Sequence, residues 1–324
     1  MKKHISFLIA TALAIFSLLL SACSSTSEDL YTTSSKDLTV YTSIHPIYDF
    51  ASKIGGDKIK LVNMVPGGVE PHDYEPTAYD ITGLEKADVF IYNGVGMEHW
   101  VEDVLSTLSN QKLIVVEASN NIELLEGHHH EDEDHEEVDH EDEAQESEDH
   151  GDLDPHVWLS PRNAIIEMEN ITKAFVEADP DNKNYYENNL STWKTKFEEL
   201  DQRFINELAS FTQRSIIVSH EAFGYLCHEY NLEQIGIDGL NPDSEPNPGR
   251  MAEIIDLVTE KNIQVIFFEE LASSKVAQTI ADGTGARTDV LNPYEGLTEE
   301  QAAAGEDYLS IMEANLEAIK NALR

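Results

Sequence analysis

From Leu38 onward, short apolar runs rich in β-branched and aromatic residues alternate with stretches whose apolar positions recur at helical spacing. Leu38 to Thr42 reads as a strand, Ile47 to Ile54 as a helix, and Ile59 to Val65 as a second strand running into Pro-Gly-Gly-Val-Glu-Pro-His72. A helix over Ala78 to Lys86, a strand at Val89 to Tyr92, a helix over Glu98 to Leu108 and a strand at Leu113 to Val116 complete a first unit. Parallel neighbours need a crossover, which a helix supplies, so this alternation predicts parallel α/β packing.

Ser160 and Pro161 form a helix start, with serine as cap and proline in the first turn, and the helix runs to about Ala178 before Asp179-Pro180 breaks it. From Lys183 to Ser210 a longer helix places Trp193, Phe197, Leu200, Phe204, Leu208 and Phe211 on one stripe, which is core-facing spacing. A second unit repeats the first. It has strands at Ser215 to Ser219, Gln234 to Ile237, Val265 to Phe268 and Thr288 to Leu291, with helices at Ala222 to Tyr230, Arg250 to Lys261 and Ser274 to Gly283. Gln301 to Leu323 reads as one closing helix. The expected fold is α/β, two lobes with parallel-rich sheets joined by a single long helix: an N-terminal lobe over 38–182, a linking helix over 183–211 and a C-terminal lobe over 212–324.

The N-terminus departs from this pattern. Lys2 and Lys3 precede an apolar run from Ile5 to Leu20, then Leu-Ser-Ala-Cys23. That is a charged segment, an apolar segment short for a bilayer span, and a small-residue cleavage site, so 1–22 reads as a signal peptide. An uncleaved anchor helix is the alternative. The four residues ending at Cys23 match a bacterial lipobox, in which the cysteine carries lipid, and 23–37 follows as a Ser/Thr-rich tether. The protein is therefore expected outside the cytoplasmic membrane, held to it through Cys23. Cys227 is the only other cysteine, which excludes an intramolecular disulfide in the mature chain and leaves stability to core burial.

The formal net charge is −41. A surface this acidic repels nucleic acid and anionic lipid and concentrates cations around itself. Part of the charge sits in the run from His128 to His150, which holds thirteen acidic residues and six histidines, His128, His129, His130, His135, His140 and His150, with no Lys or Arg. Its charge density predicts a disordered loop over about 126–151. The run reads as a bland solvated loop or as a low-affinity metal collector, and six imidazoles shift its preference from calcium toward zinc, copper or nickel.

Three other histidines stand in stiff or acid-flanked turns: His72 in Glu-Pro-His-Asp, His156 in Asp-Pro-His-Val-Trp, and His220 in Ser-His-Glu-Ala. Glu295, in Asn-Pro-Tyr-Glu, is similarly set. Imidazoles with one carboxylate suit a divalent transition metal, and three nitrogen donors favour zinc over harder ions. A histidine after a strand is, taken singly, more often structural than a ligand. Here, however, His72, His220 and Glu295 all fall beyond the carboxyl ends of predicted strands, where open parallel sheets bind ligands. Since they come from both units, their site would lie between the lobes. His45 could face the same cleft as support or lining, and Glu70 and Glu221 could orient ligand imidazoles. His99 and His228 read as surface residues.

The segments Val-Pro-Gly-Gly-Val-Glu-Pro-His72-Asp-Tyr-Glu-Pro-Thr, Asp-Pro-His156-Val-Trp-Leu-Ser-Pro, Ser-His220-Glu-Ala-Phe-Gly-Tyr-Leu, Glu-Pro-Asn-Pro and Leu-Asn-Pro-Tyr-Glu295-Gly-Leu-Thr occur in one order along the chain. Together they resemble the zinc- and manganese-binding lipoproteins of ABC importers, the ZnuA- and AdcA-like family. The resemblance implies a metal shell of His72, His156, His220 and Glu295, with the fourth position varying in the family between Asp, Glu and water. It also implies two α/β lobes on a long helix, and a permease with a cytoplasmic ATPase as partners, the chain itself carrying no P-loop. The family's manganese branch has a carboxylate at the third histidine position, so His220 points to Zn(II). The expected function is a monomeric, extracytoplasmic, high-affinity zinc carrier. A manganese carrier or a metal-dependent surface adhesin is the alternative. A zinc hydrolase would need an open, water-bearing position, and no His-Glu-x-x-His occurs.

Deleting His128 to Asp149 is expected to lower the zinc stoichiometry measured by calorimetry and to leave the tightest site nearly unchanged. An unfolded tract spends ordering entropy on each ion it binds, so its sites are the weak ones. Loss of the tight site on deletion would instead make the tract part of it.

Overall fold

The computed structural model describes residues 37–127, 153–240 and 246–324. The signal segment, Cys23 and the tether to Lys36 lie outside the described residues, as do His128, His129, His130, His135, His140 and His150. The two flanks of the histidine run meet, however: Glu126 bridges Leu153, and the N–H of Asp154 donates to the carbonyl of Leu125 at 3.0 Å.

The first sheet contains β1 (Leu38–Thr42), β2 (Ile59–Asn63), β3 (Val89–Tyr92) and β4 (Ile114–Glu117), all parallel, in the order β2-β1-β3-β4. Its crossovers carry α1 (His45–Gly55), α2 (Ala78–Leu84) and α3 (Val101–Thr107). The second sheet repeats the arrangement with β5 (Ser215–Val218), β6 (Glu233–Gly236), β7 (Val265–Phe268) and β8 (Arg287–Val290) in the order β6-β5-β7-β8, crossed by α6 (Gly224–Tyr230), α7 (Pro248–Glu260) and α8 (Lys275–Thr284). In both sheets the strand order reverses beside the first strand, which opens a crevice at the carboxyl ends there.

Between the sheets run α4 (Pro161–Ala178) and α5 (Lys183–Leu208), so the expected two-lobe α/β fold on a long helix is what forms. At 1.5 Å per residue the 26 residues of α5 span about 39 Å. Its stripe behaves as its spacing predicts: Phe197, Leu200, Phe204 and Leu208 are buried and Trp193 is half-buried. Strand alternation assigns the second lobe's apolar residues to two faces. Ile216, Val218, Val265 and Phe267 join the main core that continues through the first lobe, whereas Ile217 and Ile266 pack under α7 and α8 with Ile254, Val258 and Ile280.

Two predicted helices come out differently. The closing helix is two, α9 (Glu299–Ala304) and α10 (Tyr308–Ala322), because Gly305 takes φ +76° and Asp307 then starts a new helix by accepting the N–H of Ser310 at 3.1 Å. The helix expected from Glu98 begins at Val101. The Glu98 carboxylate is drawn into the preceding turn, where it accepts the N–H groups of Asn93 and Gly94 at 2.8 and 2.9 Å. Among the described residues no helix is long and apolar enough to cross a membrane.

The lobes meet in an aromatic junction. Phe197 of α5 stacks on Tyr308 of α10 at 4.6 Å, and Phe50 of α1 meets both rings edge-on at 5.8 and 5.3 Å. Beside it Lys53 of α1, only 5% exposed, donates to Asp49 at 2.6 Å and to Asp307 at 2.9 Å, with its ammonium 4.5 Å from the Trp193 ring centre. Removing a buried cation while its acids remain leaves charge uncompensated. Lys53→Met should therefore cost about 3–5 kcal/mol in urea unfolding, and adding Asp49→Asn and Asp307→Asn should restore part of it. A single-variant loss below about 1 kcal/mol would mean that the cluster behaves like an exposed pair.

Candidate metal centre

Each of the four nominated donors is delivered by a separate backbone device. His72 follows β2 in consecutive turns closed by Val69 N–H to the Pro66 carbonyl and Tyr74 N–H to the Pro71 carbonyl, both 3.2 Å. His156 precedes a short 3-10 turn, Val157–Leu159, and Ser160 then caps α4 by accepting the N–H of Asn163 at 3.4 Å. His220 lies two residues beyond β5, with its N–H aimed at Glu269 just past β7. Glu295 follows β8 through a strained step, Tyr294 at φ +60°. Asn292 and Asn315 hold that step: Asn315 accepts from the Asn292 N–H at 2.9 Å and donates to its carbonyl at 2.7 Å, while the Asn292 side chain accepts the Tyr294 N–H at 2.7 Å. The Trp158 indole then ties the His156 turn to this loop by donating to the Pro293 carbonyl at 2.8 Å.

The four side chains converge. One donor atom from each of His72, His156, His220 and Glu295 lies within 4.8 Å of all the others. His156 Nε2 is 3.3 Å from His72 Nε2, 3.4 Å from His220 Nε2 and 3.0 Å from Glu295 Oε1, and that oxygen lies 3.4 Å from His72 Nε2 and 3.3 Å from His220 Nε2. A tetrahedral ion bound at 2.0–2.1 Å separates neighbouring donors by about 3.3–3.4 Å, so these spacings match the edges of one coordination tetrahedron. His156 and His220 are fully buried and Glu295 is 2% exposed; His72, with 10% of its side chain exposed, is the outermost member.

Two further carboxylates set which ring nitrogen faces inward. Asp154 Oδ1 sits 2.8 Å from His156 Nδ1 and also accepts that residue's backbone N–H at 2.9 Å. Glu269 Oε1 sits 2.7 Å from His220 Nδ1. With Nδ1–H donated outward, each Nε2 presents its lone pair to the centre. The sequence offers Glu70 and Glu221, beside His72 and His220, as candidates for orienting imidazoles; on these two Nδ1 atoms the structure places Asp154 and Glu269. Glu70 instead accepts the backbone N–H of His72 at 3.3 Å, and His220 turns its Nδ1 to Glu269. The sequence signals were present, Asp154 two residues before His156 and Glu269 at the carboxyl end of a strand, but register alone does not say which acid reaches across to an imidazole.

The charges are strongly interdependent. Burial alone would push the Glu295 carboxyl up, but His220, His156 and His72 around it hold it well below the usual range. Burial likewise opposes charge on His156 and His220, yet the carboxylates of Asp154, Glu269 and Glu295 raise both imidazoles. His72 goes the other way, lowered by burial that Glu295 only partly offsets. Glu70, desolvated and facing Glu295, is pushed up to about 8. Of the remaining histidines, His99 is exposed and 3.0 Å from Glu75, His228 is exposed on α6, and His45 is tucked against Tyr294.

Raised histidines contribute stability that is complete below the unfolded value of about 6.5 and is lost as pH climbs through their folded values. Glu295, depressed, contributes above its unfolded value and loses this as pH falls through its folded one. In metal-free protein, Glu295→Gln should consequently move the titrations of His156 and His220, followed by imidazole NMR, to lower pH. Unchanged titrations would mean that the carboxylate does not face the rings.

The family described as zinc-uptake complex component A, periplasmic (ZnuA) matches residues 40–322. The chain is 43% identical over 307 residues to the high-affinity zinc uptake system protein ZnuA of Bacillus subtilis, covering 94% of each. It is 39% identical over 318 residues to the zinc-binding lipoprotein AdcA of Streptococcus pneumoniae, covering 98% of this chain but only 60% of that longer relative. The Zn(II)-bound ZnuA-like domain of the pneumococcal protein superposes with a TM-score of 0.75 at 36% identity, over 89% of this chain and 99% of that domain. With the match running through both sheets and all four converging side chains, the chain belongs to the ZnuA family.

Proposed function

We propose that this protein binds one Zn(II) through His72, His156, His220 and Glu295 outside the cytoplasm and delivers it to an ABC-type metal importer. The observation that carries this reading is the spacing of the four donors, 3.0–3.4 Å along the edges described above, with three nitrogens and one oxygen. Four such donors complete a zinc shell, whereas manganese prefers more, and harder, oxygen ligands. The zinc-named relatives support the choice of metal.

The same reading makes the protein a carrier and not a catalyst, since Glu295 occupies the position where a hydrolytic zinc keeps its water. Energy for import comes from a permease and its cytoplasmic ATPase. A lipid on Cys23, with 23–37 as tether, would hold the monomer beside that permease, and the lobes 38–182 and 212–324 about the helix 183–211 would present the loaded centre to it. The histidine run, with His128, His129, His130, His135, His140 and His150, would gather zinc nearby.

Competition titrations with a zinc chelator test the assignment. Asp154→Asn and Glu269→Gln, which leave the four donors in place, should weaken zinc binding about 10–100-fold. His156→Ala, His220→Ala and Glu295→Ala should weaken it more, and His99→Ala and His228→Ala should leave it unchanged. Equal affinities across the set would sink the four-donor centre. Dialysis against equimolar zinc and manganese should return zinc on elemental analysis, and a preference for manganese would select the other cargo.

A further inference from the structure

A cavity of about 250 Å³ lies against Glu295, walled by His45, Tyr48, Asn63, Gly67 and Leu297. Its lining runs from solvent-exposed Gly67 to Glu295, a residue only 2% exposed, so it leads from bulk water to one of the four donor residues. At the liquid's share of ~30 Å³ per water, its volume corresponds to about eight waters, room for a cation with its inner hydration shell.

His45 stands in the wall at the start of α1. Its ring meets Tyr294, the residue before Glu295, edge-on at 5.0 Å, and lies 6.1 Å from the Tyr48 ring. Its Nε2 is buried and has no hydrogen-bond partner. Buried polar nitrogens are nearly always paired, because an orphan forfeits its bond to water, and exceptions cluster where a group has another task. An imidazole in the wall of a cavity that also touches Glu295 has a candidate one: once its ring turns the enclosed nitrogen outward, it is a borderline-soft donor suited to the same ions as the centre.

We propose that this cavity is the path by which the ion enters and leaves the four-donor centre, with His45 Nε2 as a transient ligand along it. This rests on the zinc-capture reading above. An ion arriving hydrated exchanges one water for His45, then passes to Glu295 and the three inner imidazoles as further waters leave; release runs the same exchanges backward. A ligand occupied only in transit lowers the barrier equally in both directions. It therefore sets the rates of uptake and release and leaves the equilibrium affinity alone. The competing path runs directly past His72, the outermost of the four donors.

Stopped-flow mixing of the mature, full-length protein with zinc, and of the zinc-loaded protein with excess chelator, separates the two paths. His45→Phe removes the nitrogen and keeps an aromatic ring against Tyr294. Gly67→Leu obstructs the cavity from a different element, since a Cβ at Gly67 would stand 3.7 Å from the Leu297 carbonyl oxygen, an ordinary contact. Both variants should slow uptake and release by a common factor of about ten, with Kd within about twofold of wild type. Wild-type rates in both variants would overturn the proposal in favour of the path past His72. A weakened affinity in His45→Phe without slower uptake would overturn it too, by making His45 a permanent ligand or a packing residue. Failure of the wild-type protein to bind zinc would remove the zinc-capture reading itself, and so is distinguishable from either result.

Discussion

Three imidazole nitrogens and a carboxylate oxygen that face one another within 4.8 Å form an arrangement that the surrounding structure has to enforce. Lone pairs aimed at a common point repel, and a carboxylate held 2% exposed has given up its hydration. Burial opposes charge on these groups, and their mutual attraction overrides it on three of them: the carboxylates raise His156 and His220, and the imidazoles depress Glu295. A divalent cation bound at the middle, as proposed above, would compete with protons for the same nitrogens, so its binding would be coupled to proton release. The supports follow from this constraint. Asp154 and Glu269 turn the rings, the Asn292–Asn315 pair fixes the backbone before Glu295, and the Trp158 indole keeps the turn of His156 from drifting away from the loop of Glu295.

The remainder of the fold keeps the two crevices opposite each other. Each sheet reverses its strand order beside its first strand, so each offers loops at the carboxyl ends, and the centre draws His72 from one sheet and His220 and Glu295 from the other. Such a centre is only as precise as the joint between the lobes. Here the joint is a continuous apolar core with Phe50, Phe197 and Tyr308 interlocked from three helices and a buried lysine neutralised by acids of α1 and the turn before α10. Close-packed interiors of this kind resist gradual deformation. The freedom needed to admit an ion would then fall on the loops around the centre, among them the one that carries exposed Gly67 and leads to His72.

Much of the architecture was legible because it depends on short-range pattern. The boundaries of β1, β3 and β7 follow directly from apolar runs bounded by turn residues, and the buried stripe of α5 from its spacing. Two helix boundaries differ from the pattern where a single residue serves a turn instead of a helix. Glu98 reads as a good helix residue, but its carboxylate is worth more capping the N–H groups of Asn93 and Gly94. The closing segment has helical composition across Gly305, and the break comes from that glycine's left-handed φ followed by Asp307 as the cap of a new helix.

The centre divides in the same way. The sequence by itself determined the donor types and the turns that carry them: the proline-flanked His72 and His156, His220 at a strand end, and Glu295 after Asn-Pro-Tyr. Those choices express local backbone stiffness and ligand chemistry, which act over a few residues. Only the tertiary structure decided that Nε2 and not Nδ1 faces the centre, that Asp154 and Glu269 and not Glu70 and Glu221 orient the rings, and that a cavity walled by His45 opens onto Glu295. Most of these are contacts between segments far apart in the chain, such as His220 with Glu269 49 positions away and His156 with Glu295 139 positions away, and they exist because the strands and the two sheets are held in one relative position; Asp154, two residues before His156, is the local exception. Hydrogen-bond partners are selected by distances of a few tenths of an ångström, a scale that hydrophobic pattern and motif spacing do not encode.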